Sequence, residues 1–202
     1  MWRLGFFFHE TSFGLLSVFI PLYVITLGGS LVDIGIMISV ALFAAIPASL
    51  FLGYICDRTR RYKFYILLSF ISATIILYLF TLTTSIGLFT VLYVVMSALH
   101  VAHEAPKNVL IAEHYSHEEW RKSYAFYEGF TEIGWLLGLL LGFLISTIGF
   151  NSNSTLLLCS GLNLLAFILS IFLVADPILI FERRLVSIEK KIDYTYRGVL
   201  AA

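Results

Sequence analysis

The sequence predicts an all-α polytopic membrane protein with six transmembrane helices, and three observations support this fold class. Hydrophobic residues make up 59% of the 202-residue chain and charged residues only 13%, a composition too apolar for a soluble domain. Six apolar runs are each long enough to cross a bilayer core, which needs about 20 residues of helix. The connections between these runs alternate between basic and uncharged, as expected for loops on alternate sides of a membrane.

The apolar runs define the predicted helices and a single transmembrane domain at residues 1–175. They cover residues 4–28, 31–56, 64–83, 86–112, 125–148 and 155–175. The first run is expected to remain as a span rather than to act as a signal peptide, because His9 and Glu10 interrupt it and no small-residue cleavage site follows. The second, third and sixth runs are nearly free of ionisable groups, whereas the other three carry polar side chains.

The basic residues predict the orientation of the helices. All 13 Lys and Arg residues can be placed on one side of the membrane. They lie before the first run, after the second, around the fourth-to-fifth connection and after the sixth, while the connections 28–30, 82–85 and 149–154 carry none. Because short cytoplasmic loops collect positive charge, we expect a cell-membrane protein with both termini in the cytoplasm.

The six helices group into two sets of three, at residues 1–83 and 84–175, and the first helix of each set is polar. This arrangement is typical of the three-plus-three inverted repeat of secondary transporters. Residues 176–202 differ in character, since apolar residues at helical spacing are mixed there with charged ones. We expect a cytoplasmic tail, either an amphipathic helix on the membrane surface or a flexible solvated segment.

Ionisable side chains inside three of the predicted helices mark the candidate functional region. Residues three or four positions apart share a face of a helix, and the fourth and fifth helices each carry such a polar stripe. At about 1.5 Å of rise per residue, these stripes and the polar groups of the first helix fall in one slab between the cytoplasmic surface and the midplane. The residues concerned are His9, Glu10, His100, His103, Glu104, Lys107, Glu128, Glu132 and Trp135.

Two interpretations of this slab remain open. Ionisable groups inside a membrane are costly and are functional candidates by default, which favours a polar translocation cavity where Glu104, Glu128 or Glu132 carries a proton. Alternatively, Lys107 pairs with one carboxylate of the fifth helix and only joins the fourth and fifth helices. Aromatic residues near the slab are compatible with a small organic solute but do not identify it.

A metal site is a competing hypothesis, since His100, His103 and Glu104 could converge on one ion. Their order, His-x-x-His-Glu, differs from the His-Glu-x-x-His of zinc peptidases, and no second cluster completes a coordination shell. We therefore predict no metal and no cofactor. The sequence also pairs no nucleophile with a base and has no basic stripe, so we predict neither enzymatic activity nor nucleic-acid binding.

The loop between the second and third helices carries a recognisable motif. Gly53 is followed after three residues by Asp57 and Arg58, and Arg61 follows after two more. This pattern resembles the signature of the major facilitator superfamily. Arg60 stands where that signature usually has a second glycine, so we expect the turn of this loop to be formed differently.

A second region carries the same resemblance. Ala105–Glu113, followed by Arg121, is similar to the exit from the fourth helix in that superfamily. Glycines then run down the fifth helix at positions 129, 134, 138 and 142, where small residues let helices approach closely.

The resemblance extends over the whole chain and corresponds to the N-terminal half of a twelve-helix member. It implies secondary transport of a small organic solute by alternating access, with a second six-helix half as partner. That half would be a second copy, a separate chain or the remainder of a longer chain. The resemblance also implies a cytoplasmic gating network formed by Gly53, Asp57, Arg58, Arg61, Glu113 and Arg121. The alternative is a six-helix protein that binds or regulates another membrane protein without transporting anything.

Overall fold

The computed structural model describes residues 2–116, 118–149 and 151–177, and every regular element in these ranges is helical. The helices are α1 (Arg3–Thr26), α2 (Leu31–Thr59), α3 (Tyr62–Leu82), α4 (Ile86–His100), α5 (Glu104–His114), α6 (Trp120–Ile148) and α7 (Ser152–Leu173). A 3₁₀ turn at Val101–His103 joins α4 directly to α5. The tail expected at residues 176–202 lies outside the described residues, apart from Asp176 and Pro177.

Six segments of the described chain are long and apolar enough to cross a membrane, which confirms the predicted number. α4 and α5 form one of them, Ile86–His114, across the 3₁₀ turn, and each remaining helix forms one by itself. The fifth span begins at Trp120 rather than at residue 125. The additional residues form a polar first turn of the helix, in which Arg121 and Lys122 are exposed.

Local sequence explains where α2 begins and ends. Ser30 Oγ accepts a hydrogen bond from the backbone N–H of Asp33, and the Asp33 carboxylate accepts one from the Ser30 N–H at 2.7 Å, which forms a capping box. The helix ends at Arg60, which has φ 55° and ψ 27°. The expectation that this turn differs from a glycine-containing one is wrong, because Arg60 takes the left-handed conformation that glycine favours.

The helix contacts confirm the three-plus-three repeat. α1 packs against α6 and α7, α3 packs against α7, and α4 packs against α2 and α3. In this repeat the first, second and third spans correspond to the fourth, fifth and sixth. The contact of the first span with the fifth (α1–α6) therefore corresponds to the contact of the fourth span with the second (α4–α2). Likewise, the contact of the first span with the sixth (α1–α7) corresponds to that of the fourth with the third (α4–α3), and the α3–α7 contact corresponds to itself. Corresponding helices cross the membrane in opposite directions, so the repeat is inverted.

Glycines set the close approach of α1 and α6. A Cβ added at Gly138 would lie 2.1 Å from the carbonyl oxygen of Thr11, and one at Gly14 would lie 2.1 Å from the carbonyl oxygen of Trp135. Gly134 and Gly142 face α1 in the same way, whereas a Cβ at Gly129 would meet nothing within 4 Å. The glycine stripe therefore places the backbone of α6 directly against α1, the helix that carries His9 and Glu10.

Candidate functional site

The 3₁₀ turn brings two histidines of the fourth span together. Residues i and i+3 eclipse one another in a 3₁₀ helix, which has three residues per turn. His100 precedes the turn and His103 ends it, and their ring centroids lie 4.9 Å apart. α5 begins immediately afterwards at Glu104, so the sequence-predicted polar stripe continues along the same span.

His9 connects three spans through its two ring nitrogens. The side chain is fully buried. Nδ1 lies 2.6 Å from Oδ1 of Asn163 on α7, and Nε2 lies 3.0 Å from Nδ1 of His100. The carboxamide nitrogen of Asn163 donates to Ser12 Oγ at 2.6 Å and to the carbonyl oxygen of Cys159 at 2.9 Å. Because a carbonyl can only accept, the orientation of the Asn163 amide is fixed, and its oxygen accepts from His9.

His103 is held from α3 and faces two carboxylates. Its Nδ1 lies 3.1 Å from Ser69 Oγ, and the Ser69 hydroxyl also lies 3.0 Å from the carbonyl oxygen of His100. On the other side of the ring, Nε2 lies 4.0 Å from Oε1 of Glu10 and 3.3 Å from Oε1 of Glu104. The first and fourth spans therefore place imidazoles and carboxylates in one group, as the sequence predicted.

A second group of charges joins the fourth and fifth spans around Lys107. Its Nζ lies 2.7 Å from Oε2 of Glu104 and 3.5 Å from Oε1 of Glu128. The ammonium also lies 5.4 Å from the centroid of the Tyr127 ring, within the range of a cation–π interaction. Of the two pairs expected from the sequence, the structure contains Lys107–Glu128. Lys107–Glu132 is not among the ion pairs of the described residues.

Trp135 lies apart from these charges. It lines a cavity of about 180 Å³ between α1, α2, α4 and α6, whose lining residues on α1 all follow His9 in the sequence. Most of the other lining groups are apolar or aromatic, with three hydroxyl groups among them. The lining residues are Phe13, Leu16, Ser17, Ile20, Pro21, Ile38, Tyr93, Met96, Ser97 and Trp135. Glu132, one turn before Trp135 on α6, is exposed.

The predicted gating residues lie near the ends of α2, α5 and α6 and beside the start of α3. Asp57, Arg58, Arg61 and Arg121 are exposed, and Glu113 is half-buried. Arg58 Nη1 donates to the hydroxyl of Tyr54, one turn earlier on α2, at 3.2 Å. Within the described part of the chain, Asp57 and Arg121 form no ion pair with each other, so the gating network stays a prediction.

Two contacts place the motif loop near the fourth span and the end of the sixth. A Cβ on Gly53 would lie 4.0 Å from the Cβ of Ala105, so the second and fourth spans approach each other there. The backbone N–H of Lys63 donates to Asp176 at 2.7 Å, which ties the start of α3 to the residues after α7.

Ser116 and Glu119, in the connection between α5 and α6, are joined by hydrogen bonds. The Glu119 carboxylate accepts hydrogen bonds from the Ser116 hydroxyl at 2.8 Å and from the Ser116 N–H at 3.3 Å. These bonds lower the pKa of the Glu119 carboxyl, because they stabilise its charged form. Glu119 directly precedes α6, which begins at Trp120.

Sequence reasoning missed Asn163 and Ser69, which orient the histidines. Both are fully buried and lie in runs that were noted only for their lack of ionisable groups. A usable signal was present, since an asparagine inside an apolar span must find a hydrogen-bond partner there. Its partner could not be named from periodicity, because the rotation of each helix about its axis depends on packing.

Comparison with known proteins identifies a family. A family model described as Major Facilitator Superfamily matches residues 4–184, which include all of the helices described above except the first residue of α1. No curated protein gives a significant match to the chain.

Proposed function

The chain belongs to the major facilitator superfamily, whose members carry small solutes across membranes, and from this premise we propose that it acts as one six-helix half of a secondary transporter. In this proposal the half moves a small organic solute by alternating access. A second six-helix half completes the pathway, whether that half is a second copy, a separate chain or another part of a longer chain. Both termini face the cytoplasm of a cell membrane, and the gating residues lie on that side.

The observation that carries the proposal is the half-exposed charge group around Lys107. Lys107 is 10% exposed, whereas the side chains of Glu104 and Glu128 are 46% and 50% exposed. Charges that face hydrocarbon cost several kcal/mol each, so the open side of this group needs a polar cover. A second half that encloses a water-filled pathway supplies that cover without burying the carboxylates.

The cavity beside Trp135 supports an organic solute. Ligand pockets are mostly apolar, with a few polar groups that orient the ligand. Here the rings of Phe13, Tyr93 and Trp135 provide apolar and stacking surface, and Ser17 and Ser97 provide hydroxyl groups. The walls come from the first, second, fourth and fifth spans.

Within the charge group, Glu128 is the best candidate for coupling transport to protons. Glu104 is held by both Lys107 and His103, at 2.7 and 3.3 Å, and therefore helps to anchor the lysine. Glu128 contacts only the outer edge of the group, 3.5 Å from Lys107. When Glu128 takes up a proton, Glu104 still neutralises the ammonium, so the protonated state leaves no buried cation without a partner.

Flux measurements test the proposal. The full chain is reconstituted in liposomes, alone and with candidate second halves, and uptake of labelled amphipathic solutes and sugars is measured under an imposed pH gradient. The proposal expects saturable uptake of at least one solute that depends on the protein. Absence of flux with every half that forms a stable complex with the chain would contradict transport and favour the regulatory alternative.

A further inference from the structure

We propose that His9, Glu10, His100 and His103 form a binding site for one divalent first-row transition-metal ion, such as Zn²⁺. One potential ligand atom from each of these residues lies within 4.8 Å of the others. Three imidazoles and a carboxylate are a donor set that suits zinc and its neighbours rather than calcium or magnesium, which prefer oxygen ligands. This inference goes beyond the proposed function and does not depend on it.

The hydrogen bonds around His9 prepare it as a ligand. Asn163 Oδ1 accepts from His9 Nδ1–H at 2.6 Å, since the amide nitrogen of Asn163 is used by Ser12 and Cys159. A neutral imidazole with its proton on Nδ1 has a lone pair on Nε2. That nitrogen faces His100, 3.0 Å from its Nδ1. Metal-binding histidines are typically oriented in this way by a second hydrogen bond through the other ring nitrogen.

His103 is oriented in the same way, by a hydrogen bond to a residue of α3. The single hydroxyl proton of Ser69 is donated to the carbonyl oxygen of His100 at 3.0 Å. Ser69 Oγ therefore accepts from His103 Nδ1–H at 3.1 Å, which leaves the lone pair of His103 on Nε2. This Nε2 faces the carboxylates of Glu10 and Glu104. Two buried imidazoles are thus held with a lone pair on Nε2, which faces His100 in the case of His9 and the two carboxylates in the case of His103.

For tetrahedral coordination the ligand atoms, now up to 4.8 Å apart, have to move together, and the closest pair has to move slightly apart. Zinc ligands at about 2.0–2.1 Å from the ion lie about 3.3 Å from one another in a tetrahedron. The nitrogens of His9 and His100 are 3.0 Å apart, and the His103 nitrogen is 4.0 Å from the Glu10 oxygen. Binding also requires the His100 proton to leave Nδ1 for Nε2, so that Nδ1 can face the ion.

The charges around the cluster favour a cation. Glu10 supplies one negative charge, and Glu104 lies 3.3 Å from His103 as a second carboxylate. The neighbouring cation, Lys107, contacts both Glu104 and Glu128, so the carboxylates around the cluster outnumber this ammonium. An ion held by α1 and by the turn after α4 would join corresponding helices of the two repeats. The metal ligands considered from the sequence were His100, His103 and Glu104, and they did not include the two residues of the first span.

Cobalt titration tests the site without any transport measurement. The purified full chain in detergent is stripped with a chelator and titrated with Co²⁺, and the visible absorption of tetrahedral Co²⁺ is recorded. Zn²⁺ is then added as a competitor. We expect one Co²⁺ per chain, displaced by one equivalent of Zn²⁺. His100→Gln and Glu10→Gln, at half-buried positions, should weaken binding at least about 10-fold, and Ser69→Ala should do so by about 10–100-fold.

His114→Gln is the matched control, because His114 Nδ1 is bonded to the Leu110 carbonyl of its own helix, outside the cluster. It should bind like the unchanged protein, and circular dichroism checks that each variant is folded. The proposal is overturned if the folded, unchanged protein gives no stoichiometric tetrahedral spectrum. It is equally overturned if folded His100→Gln keeps full affinity, or if His114→Gln loses as much as His100→Gln. Neither the presence nor the absence of metal binding bears on the transport proposal, which is tested by the flux measurements.

Discussion

His9 donates a hydrogen bond of 2.6 Å to the side-chain oxygen of Asn163, and this bond joins the first membrane span to the sixth. Both side chains are fully buried. In hydrocarbon surroundings neither group can turn to water, so each depends on the other for its polar atoms. The bond holds His9 on the face of α1 that points toward the histidines of the fourth span.

Asn163→Ala should destabilise the protein by about 2 kcal/mol, because it leaves the buried His9 Nδ1–H without an acceptor and removes the hydrogen bond that Ser12 Oγ accepts. The loss of stability is measured by circular dichroism, which follows the unfolding of the helices on heating or on addition of a denaturing detergent. Asn108→Ala, at an exposed position on α5, is the control and should change stability little. Equal stability of the two variants would show that the His9–Asn163 bond contributes nothing to packing.

Gly138→Ala should cost at least about 2 kcal/mol of stability. The added methyl group would lie 2.1 Å from a backbone carbonyl of α1 and 2.7 Å from a backbone nitrogen, neither of which can move without separating the helices. Gly129→Ala on the same helix meets nothing within 4 Å and should instead gain up to about 1 kcal/mol of helix propensity. Thermal unfolding in detergent distinguishes the pair, and similar midpoints would contradict the close α1–α6 contact.

Replacing Arg60 should reveal the cost of its left-handed backbone. Arg60→Gly and Arg60→Ala both remove the side chain, so their difference isolates the backbone at φ 55°. We expect the glycine variant to be more stable by about 1 kcal/mol, because only glycine adopts this conformation without steric cost. Thermal unfolding measures the difference. The opposite order would mean that the turn relaxes once the arginine is removed.

Single-cysteine labelling should establish the orientation expected from the basic loops. The native Cys56 and Cys159 are buried, so both can be replaced by Ala to give a cysteine-free background. Thr84→Cys, in the exposed connection after α3, should react with an impermeant maleimide in intact cells. Glu118→Cys, in the exposed connection before α6, should react only after permeabilisation. The reverse pattern would place both termini outside.

The number of membrane spans could be predicted from the sequence because it depends on local properties. Hydrophobic length and the distribution of Lys and Arg decide which segments enter the membrane, and neither requires knowledge of tertiary packing. The 3₁₀ turn at Val101–His103 was not predictable in this way, since those residues read as continuous helix. The early start of α6 at Trp120 was missed because the predicted helix was limited to its apolar part.

The candidate site was only partly predictable for a related reason. Helical spacing places His100, His103 and Lys107 on one face, and the structure keeps them there. Spacing does not give the rotation of one helix relative to another, so it could not pair His9 with Asn163 or choose between Glu128 and Glu132 for Lys107. The same limit left Trp135 assigned to the charged slab, although it lines a separate cavity.

Glu128→Gln should uncouple solute movement from the pH gradient. The amide has nearly the shape of the carboxylic acid and cannot release a proton, so the protein is fixed in its protonated-like state at this position. Solute should still exchange across liposomes in the absence of a gradient, while accumulation driven by the gradient should be lost. Glu104 remains 2.7 Å from Lys107 in this variant, so the lysine keeps its partner and the fold should persist.

Glu119→Gln provides the control for that measurement, because Glu119 is an exposed carboxylate that bonds to Ser116 in the connection before α6. It should accumulate solute like the unchanged protein. Accumulation by Glu128→Gln at the unchanged level would remove Glu128 as the coupling group. Loss of exchange as well as accumulation would mean that the Glu128 charge serves Lys107 as a structural partner, which is the competing interpretation of the 3.5 Å pair. Exchange without accumulation is therefore the single outcome that supports proton coupling through this residue.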